Sequence, residues 1–366
     1  MDSKALPDAL AQRMQALFDS GQGRRLTLPN SALLDFSGND YLGIAEKMQQ
    51  SQQLYSISGS GGSRLLGGNY PEHEALEQFC AAWFQGDSAL FFNSGYMANL
   101  GVLSVLAGRQ DTYLYDERCH ASLKDGIRLS LAESYSYRSL DDLRHKIAKA
   151  KGVVYIVTEA LFSMDGDVLP LADIVSIARE TGASIVLDES HSTGIFGIEG
   201  NGLACSLGMN AEILVRIHTF GKAVGMMGAV VIADARIRQY LISKSRAFIY
   251  TTSLAPALMK AILQACEYTR DAADARLRLF DHVQYWNQLS GGQYMSPIIP
   301  VHIPGTEACR MAADALQQQG FGVKAIVAPT VPSGSERLRI ILHAQHNRDD
   351  IRNVYAAIQI VLQKNT

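Results

Sequence analysis

From residue 71 onward, short apolar runs alternate with stretches whose apolar positions share one helical face. Residues 71–86 bring Leu76, Phe79, Cys80, Trp83 and Phe84 together at that spacing, behind Pro71 and ahead of Gly86, which predicts a helix. The runs 89–92, 112–115, 153–157, 184–187, 214–217 and 229–232 read as strands. Most are apolar on both faces, as a sheet covered by helices on both sides requires. This rhythm predicts an α/β domain with a mainly parallel sheet. The texture changes near residue 266. A charged helix over 267–286 is followed by a strand-like run at 297–303, a helix at 306–319, a strand near 321–327, another at 337–342 and a last helix. That sequence suits a smaller α+β domain. The expected organisation is an N-terminal arm over 1–40, a large α/β domain over 41–265 and a small C-terminal domain over 266–366.

Composition sharpens this only in places. A chain of 366 residues is long for one core, which agrees with two domains. A formal net charge of −3 gives no electrostatic reason to expect nucleic acid or an anionic membrane as partner. The five cysteines (80, 119, 205, 266 and 309) are scattered and form no CxxC pair, so they read as reduced thiols rather than a zinc site or disulfide framework. No metal site is expected. The start, MDSKALPDALAQRM, lacks a signal-peptide pattern, and no apolar run is long enough to span a bilayer. A cytoplasmic protein is the expectation.

The chemistry lies where the strands end. In open α/β sheets ligands gather at the carboxyl ends of strands. After Phe92 comes NSGYMAN; then DERCHASLKDG after 115, TEALFSMDGD after 157, DESHSTG after 187 and HTFGKAVG after 217. Each has a plain alternative. Ser94 could simply cap a helix, His120 could be a core histidine, Asp188 a cap and Lys222 a solvated lysine. Together they make one chemical set. The helix start at Ser94, Gly95 and Tyr96 offers backbone N–H groups to a phosphate. An aspartate can hold a pyridine nitrogen protonated, and a lysine can form a Schiff base. These are the parts of a pyridoxal 5'-phosphate (PLP) site. Rival loops fail on spacing: Arg64 stands where GxGxxG needs its third glycine, and Ala223 follows Lys222 where a P-loop needs Ser or Thr.

Nine ordered stretches then carry a resemblance: GNDYLGI (38–44), GSGGSRLLGG (59–68), NSGYMANLG (93–101), CHASLKDG (119–126), TEALFSMDGD (158–167), LDESHSTG (187–194), HTFGKAVG (218–225), IYTTSLAP (249–256) and APTVPSGSERLRI (328–340). On these the chain resembles the α-oxoamine synthases, a family of fold-type I PLP enzymes. The resemblance implies an aspartate aminotransferase-like fold, with a large domain around a mainly parallel seven-stranded sheet and a smaller α+β C-terminal domain. It implies Lys222 as the Schiff-base lysine, Thr219 and the backbone of Gly95 and Tyr96 on the phosphate, and Asp188 on the ring nitrogen. His191 and Ser163 would lie near the ring hydroxyl, and His120 would stack on the ring. Asn39 and Arg339 would take the amino acid carboxylate, for which an arginine fork is suited. Thr252 would reach the phosphate of a neighbouring subunit, implying a homodimer with shared active sites. The glycines at 221 and 225 would let the lysine turn approach the cofactor.

The implied reaction is a decarboxylative condensation of an amino acid with an acyl thioester on coenzyme A or a carrier protein. L-alanine and a pimeloyl thioester come first. The glycine acetyltransferase, 5-aminolevulinate synthase and serine palmitoyltransferase reactions stay open as alternatives. So do a non-catalytic relative and, on the α/β rhythm alone, a nucleotide-binding dehydrogenase.

Overall fold

The computed structural model describes residues 19, 32–36, 39–44, 47 and 59–364. Most of the expected arm over 1–40, and residues 45, 46 and 48–58, lie outside them. Contacts divide the chain into two compact units. One comprises residues 38–299 and 341–351; the other comprises 1–37, 300–340 and 352–366. The expected boundary at 265/266 falls inside helix Pro256–Arg270, whose Met259, Ile262, Ala265 and Cys266 are buried. The helix packs against Pro71–Trp83 in the larger unit.

The strands, in chain order, are β1 Leu34–Asp35, β2 Ser88–Phe92, β3 Thr112–Asp116, β4 Glu133–Tyr137, β5 Val154–Glu159, β6 Ser184–Asp188, β7 Val215–Thr219, β8 Ala229–Ala233, β9 Ile298–His302, β10 Phe321–Gly322, β11 Lys324–Ile326 and β12 Arg337–Ile341. The larger unit holds a seven-stranded sheet in the order β2-β8-β7-β6-β5-β3-β4. Five neighbours, β7 through β4 in that order, run parallel. β8 is antiparallel to both β7 and β2, so it alone runs against the other six.

Both faces of the sheet are buried, and alternate residues on each strand serve opposite cores. Val157, Val186, Val215 and Ile217 enter one core, with helix residues Val102, Leu103, Leu123 and Ile127. Ile156, Ile185 and Leu187 enter the other, with Ile174, Val175 and Ile177. The six apolar runs therefore form strands within two residues of their expected bounds. β4, sequence ESYSY, is the strand that apolar reading passed over. It is an edge strand whose first three residues are exposed, and it needs no apolar character on its open side. The charged stretch 267–286 is not one helix: Pro256–Arg270 and Ala273–Ser290 break at Asp271 and Ala272.

In the smaller unit, β11, β12 and β9 form a three-stranded sheet and β1 pairs with β10 in parallel. Helix Thr306–Gln318 buries Cys309, Ala312, Ala313 and Leu316. Among the described residues no helix is long and apolar enough to cross a membrane.

Candidate active site

Helix Gly95–Leu106 starts directly after β2. Ser94 holds extended backbone and its side chain accepts the Met97 N–H, a cap that fixes the first turn, whose Gly95 and Tyr96 line the cleft. Gly95 is required there by a neighbour. A Cβ at this position would lie 2.3 Å from Thr219 Cγ2. The helix start and the end of β7 are thus packed without room for a methyl group, and the bare backbone is left to meet a ligand.

The cleft at this point has an empty volume of about 360 Å³, open to solvent on one side. Gly95, Tyr96, His120, Ser163, Asp188, His191, Thr219 and Lys222 all line it. They come from five separate strand ends, brought to one edge by the parallel order of the sheet. Lys222 Nζ lies 3.4 Å from Thr219 Oγ1. Its turn is closed by the Gly225 N–H donating to the Lys222 carbonyl at 2.8 Å, with Gly225 at φ +69°. Gly221 shows neither a positive φ nor a close neighbour, so the expectation that both glycines shape the turn holds for Gly225.

Asp188 ends β6 and is buried. It accepts the Asn99 Nδ2–H at Oδ2 and the Ser190 N–H at Oδ1, both at 2.8 Å. Asn99 Nδ2 also donates to Ser122 Oγ at 2.9 Å, and that hydroxyl stands 2.7 Å from His120 Nδ1. The Ser122 N–H donates to the same nitrogen at 3.2 Å. With two donors converging on Nδ1, the His120 proton belongs on Nε2, the nitrogen away from that pair. Burial pushes the His120 pKa below the ordinary imidazole value; Lys222 adds to this and Asp188 opposes it. A neutral imidazole follows.

His191 Nδ1 lies 2.8 Å from Tyr41 Oη, and Tyr41 Oη donates to Asn39 Oδ1 at 3.1 Å. Asn39 therefore joins the cleft through a buried tyrosine. Thr252 and Arg339 do not line the cleft. Thr252 is exposed, accepts the Asn93 Nδ2–H at its carbonyl and pairs as an isolated bridge with Ser63. Arg339 is buried on β12 of the smaller unit, opposite Lys324 of β11. Tyr96 presents a half-exposed ring, edge-on to His120, and its hydroxyl bonds Asp125.

Sequence reading missed four cleft residues: Asn99, Ser122, Glu159 and Ser190. All lie inside the stretches that carried the resemblance, but polar residues at strand and helix ends are too common to single out without distances. Glu159, at the end of β5, accepts the His120 backbone N–H. Burial, and then the Asp188 carboxylate, push its pKa up to about 8.

The donor set fits PLP. It offers a glycine-cleared helix N-terminus for a phosphate, a buried carboxylate for a ring nitrogen and a lysine in the same cleft. Asn99 Oδ1 is buried without a partner, so the amide is turned with its donors toward Asp188.

Comparisons with known proteins point to the same cofactor. The model of the family "aminotransferase class I and II" matches residues 31–358. The chain is 37% identical, over 95% of both chains, to 8-amino-7-oxononanoate synthase of Azoarcus sp. (strain BH72). A serine palmitoyltransferase variant from S. paucimobilis, solved with PLP and myriocin bound, superposes with a TM-score of 0.87 at 26% identity, covering 98% of each chain. The 8-amino-7-oxononanoate synthase structure from Francisella tularensis gives 0.76 at 27% identity, covering 92% of this chain and 99% of that one. The chain belongs to the aminotransferase class I and II family, among its α-oxoamine synthases, and is a PLP-dependent enzyme of fold type I.

Proposed function

We propose that this enzyme condenses L-alanine with a pimeloyl thioester, releasing CO2, the free thiol and 8-amino-7-oxononanoate, a step of biotin synthesis. The observation that carries the reading is the 37% identity, over 95% of the chain, to a relative of that name. Bound PLP supplies an electron sink for bond-breaking at the amino acid α-carbon. The N–H groups of Gly95 and Tyr96, with Thr219 Oγ1, hold the phosphate, and Ser94 fixes the turn that presents them. Lys222 Nζ would hold the cofactor covalently and would serve as the base for the α-proton. Asp188, held by two N–H donors, would pair with the ring nitrogen and keep it protonated. His120, a neutral imidazole lining the cleft, would cover the ring face. Ser163 and His191 serve the ring hydroxyl. We assign Asn39 and Arg339 to the amino acid carboxylate, whose grip would orient the α C–H bond for proton removal.

Thr252, exposed in the single chain, is assigned to the phosphate of a second subunit, which makes the active form a homodimer. Mixing an inactive Lys222→Ala chain with an inactive Thr252→Ala chain should then restore part of the activity. No recovery after demonstrated subunit exchange would contradict the shared site.

Thiol release tests the reaction itself. Pimeloyl, acetyl, succinyl and palmitoyl thioesters are offered with alanine, glycine and serine, on coenzyme A and, for pimeloyl, on carrier protein. Alanine with the pimeloyl donor should be fastest. Glycine should be slower but not inert, since one methyl group is worth about 1–3 kcal/mol of discrimination. The second reading is a serine palmitoyltransferase-like reaction, favoured by the structural likeness at a TM-score of 0.87. Fastest turnover of serine with the palmitoyl donor would establish it instead.

A further inference from the structure

We infer that Glu159 is a positioning residue of the cleft: it keeps its proton beside Asp188 and fixes His120 by accepting its backbone N–H. The inference rests on the PLP reading for its purpose, but the protonation stands on geometry. Glu159 and Asp188 are register partners on the parallel strands β5 and β6. Paired residues of neighbouring strands point to the same side. Both side chains line the cleft, and both residues are about 95% buried, with relative exposures of 4% and 5%.

Two buried carboxylates on register partners that line one cleft cannot both ionise cheaply, so one of them tends to keep a proton. The donors decide which group keeps it. Asp188 accepts two N–H bonds, from Asn99 and Ser190, and these favour its charged form. Glu159 accepts one, from His120. The charged and titratable groups facing Glu159 are Asp188 on β6, Asp116 on β3, Cys119 and His120 after β3, and Lys222 after β7. The His120 N–H bond and Lys222 favour ionisation of Glu159; burial and the Asp188 and Asp116 carboxylates oppose it and prevail, which sets the pKa at about 8. At neutral pH Glu159 is un-ionised. A ring nitrogen then meets a single carboxylate, while the un-ionised Glu159 anchors His120 at the start of helix Ala121–Leu129.

Thermal unfolding of cofactor-free wild-type and Glu159→Gln protein across pH tests the proton. Between the ordinary carboxyl value of 4.5 and about 8, the folded wild type binds more protons at this site than the unfolded chain. Its stability therefore falls as pH rises through that window, and Glu159→Gln escapes the loss. The midpoint advantage of Glu159→Gln should grow from pH 5 to 8 and then level off. A difference that does not change with pH would overturn the inference. If the variant does not fold, infrared spectroscopy of the wild type alone decides the protonation. An un-ionised carboxyl stretch lost with a midpoint near 8 supports it, and the absence of that band above pH 6 overturns it. The positioning role is read from PLP titration at pH 7. Glutamine still accepts the His120 N–H, so Glu159→Ala should bind PLP about tenfold more weakly than Glu159→Gln, the scale of one orphaned donor. Equal losses in both variants would overturn the role. If the wild type binds no PLP, the cofactor reading fails, and the thermal profile still decides the protonation.

Discussion

Asn99 Nδ2 donates to Asp188 Oδ2 at 2.8 Å, from the second turn of a helix to the end of a strand in another part of the sheet. The same nitrogen donates to Ser122 Oγ, so one amide fixes both the carboxylate and the donor set on His120. Asn99→Ala should leave Asp188 with a single donor and lower kcat/KM. A hydrogen bond to a charged group is worth about 1.5–3 kcal/mol, or about one to two decades in rate. Steady-state kinetics with alanine and the pimeloyl donor check this; a loss under threefold would show that Ser190 suffices.

Much of this site was legible in the sequence because strand ends are. Apolar runs located six strands, and the residues after them gave Ser94, Gly95, His120, Asp188, Thr219 and Lys222. What stayed hidden depends on distances across the sheet. Asn99 reads as an ordinary polar helix residue, and Glu159 as the last residue of a strand. Their importance comes from Asp188, which lies 89 positions from the first and pairs in register with the second. Tyr41 was hidden similarly: its link to His191 spans 150 positions. β4 escaped because an edge strand with an exposed face has no apolar run to show.

Gly95→Ala puts a methyl group against Thr219 Cγ2, at 2.3 Å before any relaxation. Overpacking of this kind costs about 1–3 kcal/mol. PLP affinity, measured by titration of the cofactor-free protein, should fall by about tenfold or more. Adding Thr219→Ser removes the opposing methyl and keeps the hydroxyl, so the double variant should recover most of the loss. Failure to recover would mean that Gly95 matters for a reason other than that contact.

Asp188→Ala removes the carboxylate proposed for the ring nitrogen. Taking one partner from a buried ion pair costs about 3–5 kcal/mol. If that falls on the transition state, turnover drops by about two to four decades, with the thermal unfolding midpoint of the cofactor-free protein near or above wild type. Near-normal turnover would make Asp188 a structural cap.

Tyr41→Phe keeps the buried ring and removes the hydroxyl that joins Asn39 to His191. Loss of an ordinary hydrogen bond is worth about 1 kcal/mol, or about fivefold. The effect should be larger on the KM for the amino acid than on the affinity for PLP, because Asn39 is assigned to the substrate carboxylate. An effect on PLP affinity alone would tie Tyr41 to the cofactor only.

The attachment of the cofactor to Lys222 is tested most directly by borohydride reduction of the PLP-loaded protein, followed by proteolysis and mass mapping. Lys222 lines the cleft beside Thr219 and in the same pocket as Asp188 and Glu159, so the pyridoxyl group should be found on the peptide carrying it, and a Lys222→Ala chain should take up no stable label. Label on any other lysine, or full labelling of the Lys222→Ala chain, would contradict the assignment.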